Sequence, residues 1–197
     1  MRRLETRLQG PVLLEPAVHG DARGFFVETY RQGLFADFGV HDQFVQDNHS
    51  RSRLGVLRGM HFQRGQAKLV RSARGAILDV VVDIRPGSAS FGRWESFALD
   101  DETGRLLYVP DGFAHGFCVT SEVADVVYKV STYYDPAAES GFRFDDPEVG
   151  IEWPSRIDFE VSARDREAPL LRELGLGEAD SRSHGYPPGD SDALPSA

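Results

Sequence analysis

Short runs of alternating apolar and β-branched residues, separated by turns rich in Gly and Pro, recur along most of this chain. The clearest run is AILDVVVDIR at residues 76–85, in which every second residue is apolar from Leu78 to Ile84. Such alternation is typical of a β-strand with one buried face. Many short strands with little helix predict an all-β fold, a sandwich or barrel of the jelly-roll type.

Helical spacing is confined to two short segments that would flank the strands. Apolar side chains recur at helical spacing in residues 32–38, and residues 162–174, SARDREAPLLREL, form the second segment. The C-terminus beyond them is rich in Gly, Ser, Pro and Asp. Such a segment cannot bury enough apolar surface to fold by itself. We therefore predict one domain over residues 1–175 and a disordered tail over residues 176–197.

The charge balance argues against two classes of partner. The 197 residues include 22 Lys and Arg against 31 Asp and Glu, which gives a formal net charge of -9. A protein this acidic is not expected to bind nucleic acid or anionic membranes in general. Arg23, Arg58 and Lys68 could still form a local basic pocket against that acidic background.

Cysteine use and the N-terminus indicate the compartment. The single Cys118 excludes an intrachain disulfide framework and fits a reducing compartment, with a small buried thiol as its expected role. The first residues, MRRLETR, have no apolar core behind their charges, as a signal peptide would have. No apolar run is long enough to span a membrane. We therefore expect a cytoplasmic protein.

The stretch at residues 55–75, GVLRGMHFQRGQAKLVRSARG, combines two predicted strands with polar side chains suited to chemistry. His61 and Gln63 lie two residues apart on the first strand and therefore share a face. Arg58 precedes them, and Lys68 begins the second strand. A cation, an imidazole and an amide in apolar surroundings suit an anionic substrate and a proton transfer.

This stretch and a second one, residues 104–115, carry the spacing of the two cupin motifs. The second stretch matches the pattern Gly, five residues, Pro-x-Gly-x-x-His and ends at His115. Metal-binding cupins supply two His and one Glu from the first motif, but here Gln63 and Lys68 occupy two of those positions. A Lys ammonium has no lone pair to give to a cation. The chain therefore resembles a cupin barrel that works without a metal.

Some polar side chains of the predicted strands and helices have two interpretations. A buried Asp79 would be costly without a partner, so it accepts a hydrogen bond from His61 or His115, unless its face of the strand points outward. Tyr128 is either a core tyrosine or a positioned acid. Asp165 belongs to a helix-capping box, which gives it a structural role apart from any chemistry.

Two further segments place aromatic and polar side chains next to each other. Phe26 beside Glu28 either floors a binding slot or is a core residue beside a solvated carboxylate. The run Gln46, Asp47, Asn48 ends a predicted strand and belongs either to a polar rim loop or to a pocket.

Eight motifs follow one another along the chain. They are RGFFVE at 23–28, FVQDNHS at 44–50, VLRGMH at 56–61, KLVR at 68–71, DVVVD at 79–83, PDGFAHGF at 110–117, YK at 128–129 and SARD at 162–165. In this order the motifs closely resemble those of the dTDP-4-dehydrorhamnose 3,5-epimerases. The resemblance covers roughly residues 10–172.

The resemblance implies a role for each catalytic side chain. His61 matches the family's base, Asp165 the carboxylate that pairs with it, and Tyr128 the acid on the opposite face of the sugar. Lys68 matches the cation near the C4 oxygen, where it would stabilise the enolate formed when a proton leaves the neighbouring carbon. Histidine suits the base role because its ordinary pKa lies near neutrality.

The resemblance also implies how the nucleotide is held. Arg23, Arg58 and Arg164 match contacts with the pyrophosphate, and Phe26 and Tyr134 match aromatic side chains that hold the thymine ring. Other ligand-contacting positions are matched by Glu28, Gln46, Asp47, Asn48, His115 and Glu139. The family is dimeric and uses no cofactor and no metal, so we expect a homodimer that binds a dTDP-sugar.

The implied reaction is epimerisation of dTDP-4-keto-6-deoxyglucose at C3 and C5, which gives dTDP-4-keto-L-rhamnose for deoxysugar biosynthesis. A monoepimerase of an antibiotic deoxysugar pathway, acting at C3 or C5 alone, is the alternative within the family. A metal cupin and a non-catalytic sugar-nucleotide binder are alternatives of other classes. The choice between one and two carbons depends on geometry around Tyr128 and stays open from the sequence.

Overall fold

Two antiparallel β-sheets packed face to face form the body of the protein, which a computed structural model describes over residues 1–177. The first sheet has the order β1 (Arg2–Leu4), β2 (Val12–Glu15), β10 (Leu106–Val109), β7 (Lys68–Arg74), β12 (Val123–Val130) and β5 (Gln46–Arg53). The second has the order β13 (Glu139–Gly141), β6 (Val56–Gln63), β11 (Phe113–Val119), β8 (Ala76–Asp83) and β9 (Trp94–Asp100). These sheets confirm the predicted all-β, cupin-type jelly-roll fold.

Alternating side chains of the strands build one apolar core between the sheets and another outside the second sheet. On β8, Ile77 and Val81 point into the space between the sheets. Val80 and Val82 point outward, against the C-terminal segment. The predicted alternation is therefore confirmed, and it places Asp79 inside the sandwich.

Helix α1 (Gln32–Ala36) covers the outer face of the first sheet and confirms the first predicted helical segment. Phe35 is fully buried there with Leu69. Gly39 ends the helical turns with φ 87°, a left-handed conformation that glycine adopts without strain. Because neighbouring side chains of a strand alternate, Lys68 points to the opposite, inner face of the sheet.

The single helix predicted over residues 162–174 is wrong. Two short elements replace it, α2 (Ala163–Arg166) and a 3₁₀ helix (Leu171–Leu174), with Pro169 between them. Proline has no N–H to donate, and it disfavours helical backbone at the preceding residue. The chain then crosses the outer face of the second sheet instead of continuing as one helix.

The predicted tail lies almost wholly outside the described residues. Leu176, near its start, is buried in the core outside the second sheet. Residues 178–197 are not described, so the disorder expected there stays a prediction. Within residues 1–177, no helix is long and apolar enough to cross a membrane.

Candidate active site

A cavity of about 610 Å³ between the two sheets gathers most of the predicted site residues. The first sheet lines it with Gln46, Asn48, Ser50, Lys68 and Tyr128. The second sheet contributes Arg58, His61, His115 and Phe117, and the later segments add Tyr134, Glu139, Arg164 and Asp165. Ser50 and Phe117 were not among the predicted residues. The two imidazoles thus face the ammonium and the phenol across one space.

His61 and Asp165 form a hydrogen-bonded pair at the side of this cavity. Nε2 of His61 lies 2.7 Å from Oδ1 of Asp165, and Oδ2 accepts the backbone N–H of Gly59 at 3.3 Å. Burial would raise the pKa of Asp165, but hydrogen bonds from His61, Gly59 and Ser162 hold it below its usual value. The carboxylate can only accept a hydrogen bond, so Nε2 carries the proton of the neutral imidazole. The lone pair of Nδ1 is then available to act as a base.

The residues around Asp165 explain why its carboxylate can bind His61. Ser162 caps α2, and its Oγ accepts the backbone N–H of Asp165 at 3.1 Å. Strand β14 (Glu160–Val161) pairs with β6 in parallel and brings α2 alongside His61. Asp165 therefore serves the cap through its backbone and the imidazole through its side chain.

Gly59 allows β6 and β11 to approach each other closely beside this pair. Its φ is 139°, and a Cβ at this position would lie 2.6 Å from Cα of Gly116. Any other residue would force the two strands apart. The close approach keeps His61 and His115 paired directly across the strands.

Asp79 holds His115 and not His61, which resolves the choice that the sequence left open. Oδ2 of Asp79 lies 2.8 Å from Nε2 of His115, and Asp79 is fully buried. Burial raises the pKa of Asp79, although His115 and Lys68 partly offset the rise. Among the described residues, no three His, Cys, Asp or Glu side chains lie in an arrangement that could hold a metal ion.

Lys68 projects from β7 into the same cavity. Its Nζ donates to the backbone oxygen of His61 at 3.4 Å. Burial lowers the pKa of Lys68 to about 8, although Glu139 and Asp79 favour the charged form. At neutral pH the side chain is therefore mostly an ammonium, with donors left for a ligand.

Tyr128 lies on the first sheet and faces the imidazoles of the second. It packs partly against the core between the sheets and also lines the cavity. Burial and the charge of Glu139 raise the pKa of the phenol, whereas Arg58 and the nearby side-chain amide of Asn48 lower it. The net pKa is raised, so the phenol holds a proton at neutral pH, as an acid must.

A hydrogen-bonded cluster joins the loop before β13 to α2. Glu139 pairs with Nη2 of Arg164 at 2.6 Å and accepts the hydroxyl of Tyr134 at 3.0 Å. On β6, the guanidinium of Arg58 donates to Oγ of Ser52 at 3.2 Å. Arginine presents a fork of donors that matches phosphate oxygens, so both arginines suit a diphosphate.

Three predicted contact residues lie outside this cavity, on or beside a separate hairpin of β3 (Val18–Asp21) and β4 (Gly24–Val27). Among the described strands, the two pair only with each other. Phe26 is 70% exposed, so it is not a core residue. Arg23 and Glu28 are exposed as well.

Strand β5 divides its predicted residues between two faces. Gln46 and Asn48 line the cavity. Asp47 is exposed on the other face and pairs with Lys129 at 2.8 Å. Alternation along a strand makes this division necessary, so the three side chains cannot share one pocket within a single chain.

Gln63 has a role that its place in the motif did not reveal. Its amide donates to Oγ1 of Thr132 at 3.2 Å and to the backbone oxygen of Tyr133 at 3.1 Å. It also accepts the N–H of Asp135 at 3.0 Å. Gln63 therefore anchors the loop that carries Tyr134 and does not face a ligand itself.

Comparison with known proteins gives the family of this chain. A family model described as dTDP-4-dehydrorhamnose 3,5-epimerase matches residues 5–173. The chain is 48% identical over 179 residues to an enzyme of that name from Salmonella typhimurium, covering 89% of this chain and 98% of the relative. It is 42% identical to a dTDP-4-dehydrorhamnose 3-epimerase from Streptomyces niveus, covering 88% and 85%.

A solved structure agrees with these relatives. It is a dTDP-6-deoxy-D-glucose-3,5-epimerase from Legionella pneumophila in complex with dTDP-4-keto-L-rhamnose. The two structures superpose with a TM-score of 0.86 at 41% identity, covering 90% of this chain and 97% of the other. This chain therefore belongs to the dTDP-4-dehydrorhamnose 3,5-epimerase family.

Proposed function

We propose that this protein epimerises dTDP-4-keto-6-deoxyglucose at C3 and C5, and so forms dTDP-4-keto-L-rhamnose for deoxysugar biosynthesis. One observation carries the proposal. A single cavity receives a carboxylate-held imidazole from one sheet and an ammonium and a phenol from the other. The similar enzyme from Legionella pneumophila is described in complex with the proposed product.

His61 is the base in this proposal. Because Asp165 holds Nε2, Nδ1 takes the proton from the carbon beside the ketone. The electron pair of the C–H bond forms the double bond of the enolate, and the carbonyl pair moves to the C4 oxygen. Asp165 stabilises the imidazolium through the same hydrogen bond. A general base contributes roughly 10²–10⁴-fold to the rate.

Lys68 stabilises the charge that develops on the C4 oxygen. Its ammonium has three donors, and the backbone oxygen of His61 engages only one of them. A fixed cation acts more strongly in a cavity shielded from water than in bulk solvent. The pKa of about 8 keeps Lys68 charged at neutral pH.

Tyr128 returns a proton to the opposite face of the carbon. A proton given back on the original face would only restore the starting sugar, so inversion requires a second, opposed donor. Tyr128 and His61 come from facing sheets and line the same cavity. After the transfer, the phenolate regains a proton from water and the imidazolium releases one, which resets both groups.

Arg58 and Arg164 bind the pyrophosphate in this proposal, and Tyr134 holds the thymine ring. All three side chains line the cavity that contains His61. Arg164 exchanges its carboxylate partner for phosphate oxygens when the substrate enters. The remaining ligand contacts from the same chain are Gln46, Asn48, His115 and Glu139.

Arg23, Phe26 and Glu28 reach the cavity of a second copy in the proposed homodimer. They lie outside the cavity of their own chain, and the rings of Phe25 and Phe26 are 64% and 70% exposed. Adjacent exposed aromatic rings often mark an interaction surface. A hairpin that closes the cavity of the second copy would bury these rings and add an arginine beside the pyrophosphate. We place this dimer in the cytoplasm, where the free thiol of Cys118 stays reduced.

A monoepimerase is the second candidate, since the chain is 42% identical to a 3-epimerase. NMR of the keto sugar in deuterated water with the enzyme decides between the candidates. Deuterium at both C3 and C5 supports the proposal, and deuterium at one carbon supports the monoepimerase. Deuterium at neither carbon contradicts both and leaves a sugar-nucleotide binder. Stoichiometric iron, manganese or zinc in the purified protein would support a metal cupin instead.

A further inference from the structure

A chain of hydrogen bonds runs along the inner face of β5 and ends at Asn48, which lies across from Tyr128. The backbone N–H of Tyr134 donates to Oε1 of Gln46 at 3.1 Å. Nε2 of Gln46 then donates to Oδ1 of Asn48 at 2.8 Å. Asn48 and Tyr128 are paired directly across β5 and β12, and both side chains line the cavity, where Asn48 lowers the pKa of the phenol.

The backbone N–H at the start of this chain fixes the orientation of both amides. An N–H group can only donate, so Oε1 of Gln46 must be the acceptor and Nε2 the donor on the other side. The bond from Nε2 holds Oδ1 of Asn48 on the side of Gln46, which turns the Nδ2 amino group away from Gln46. A phenol oxygen that accepts from Nδ2 keeps its own O–H free to point elsewhere.

We propose that Asn48 is a positioning residue whose Nδ2 amino group donates to the phenol oxygen of Tyr128, which leaves the phenol O–H directed at the substrate carbon. The inference rests on the proposed function, and it names the group that orients the acid. Asn48 also stabilises the phenolate left after the proton has moved, because an amide donor stays aimed at the phenol oxygen. Gln46 takes part indirectly, since it sets which end of the Asn48 amide faces the phenol.

Asn48→Asp reverses the proposed hydrogen bond with almost no change of shape. A carboxylate only accepts, so the O–H of Tyr128 turns toward it and away from the sugar. Inversion at the carbon that Tyr128 serves should fall about ten- to hundredfold, while deuterium exchange continues. Gln46→Glu should act in the same direction and more weakly, because a carboxylate there turns the Asn48 amide around.

The readout is the ratio of deuterium exchange to inversion, because a lost ligand contact would lower both rates together. His49→Gln, on the outer face of the same strand, is the matched control and should leave the ratio unchanged. Asn48→Asp combined with Tyr128→Phe should give the ratio of Tyr128→Phe alone. A parallel fall of exchange and inversion in Asn48→Asp would make Asn48 a ligand contact only and would overturn the proposal.

A second measurement needs no sugar and therefore separates this proposal from the proposed function. NMR of tyrosine labelled with ¹³C at Cζ reports the pKa of Tyr128, with Tyr128→Phe assigning the signal. Asn48→Asp and Gln46→Glu should both raise this pKa, and His49→Gln should not. Glu139, Arg58 and Tyr134 also act on the phenol, and the substitutions leave them in place. An unchanged pKa in both variants, with the fold intact by circular dichroism, would overturn the proposal.

Discussion

His61 and His115 lie directly opposite each other on neighbouring strands, and each imidazole is held by its own carboxylate. Asp165 reaches His61 from α2, whereas Asp79 reaches His115 from within the second sheet. The side chain of His61 is 26% exposed and that of His115 only 9%. The more open pair is therefore suited to exchange protons with a substrate, and the closed pair is suited to support the floor of the cavity.

The first prediction concerns the base. His61→Asn should nearly abolish deuterium exchange at both carbons, because His61 is the group that takes the proton in the proposed mechanism. The expected loss is roughly 10²–10⁴-fold, the usual contribution of a general base. Exchange is measured by NMR. The affinity for dTDP, measured by calorimetry, should be retained. Near-normal turnover in this variant would remove His61 from the mechanism.

Asp165→Asn extends the same prediction to the partner of the base. It separates the role of Asp165 in the reaction from its role in the helix cap. Exchange should slow, because an amide holds the imidazolium less well than a carboxylate. The helix cap should survive, because it uses the backbone N–H of Asp165. Ser162→Ala is the control, and it should cost about 0.5–2 kcal/mol of stability with less effect on exchange. If Asp165→Asn lowers only the melting temperature, the carboxylate has a structural role and takes no part in the reaction.

The second prediction is a loss of activity as pH rises through about 8, the pKa of Lys68. Below that pH the ammonium is charged and stabilises the enolate, and above it the neutral amine does not. An unshifted lysine, with a pKa of about 10.4, would keep the activity well above pH 8. Lys68→Arg keeps a positive charge and should remove this fall from the profile of kcat/KM. A wild-type profile that stays flat to about pH 9.5 would contradict the assignment.

The third prediction concerns the nucleotide. Arg58→Ala should weaken dTDP binding by roughly 1.5–3 kcal/mol, the range of hydrogen bonds to charged groups. The loss should be larger at low salt, where the charges are less screened. Calorimetry at two salt concentrations measures both effects. Arg51→Ala is the matched control, because Arg51 faces away and pairs with Asp125. Unchanged affinity in Arg58→Ala would place Arg58 outside the nucleotide site.

The fourth prediction tests whether the hairpin crosses to a second copy. Arg23→Ala and His61→Asn should each be poorly active by themselves. If Arg23 acts in the cavity of the partner, a mixed dimer has one site with both changes and one site with neither. Refolding equal amounts together should then restore about a quarter of full activity, since half of the dimers are mixed. No recovery, in a preparation that sizing chromatography shows to be dimeric, would contradict the crossing.

The alternation of side chains along a strand explains which site residues could be placed from the sequence. His61, Lys68 and Tyr128 each lie on a strand whose inner face follows from alternation, so their common cavity could be anticipated. The partner of Asp79 could not, because it depends on β8 pairing with β11 in one register. In that register Val81 lies opposite His115, and Asp79 is the diagonal neighbour of the imidazole.

Other differences come from interactions that a periodic pattern does not record. Helical spacing over residues 162–174 predicted one helix, but Pro169 outweighs it and divides the segment. Resemblance grouped Arg23 and Phe26 with the ligand contacts, whereas the fold places them on a hairpin outside the cavity. Contacts between two copies of a chain produce no periodic pattern in its sequence. The position of the hairpin could therefore not be derived from the alternation along the strands.

The central claim is that a proton leaves one face of the sugar for His61 and returns to the other face from Tyr128. Tyr128→Phe tests it most directly, because the ring volume is kept and only a hydroxyl hydrogen bond, worth about 0.5–1.5 kcal/mol, is lost. His61 and Lys68 would still form the enolate, so deuterium should still enter the sugar. NMR in deuterated water measures the ratio of exchange to inversion in wild type and variant. We predict that the ratio rises, most at C5, and an unchanged ratio would contradict the account by removing Tyr128 from the mechanism.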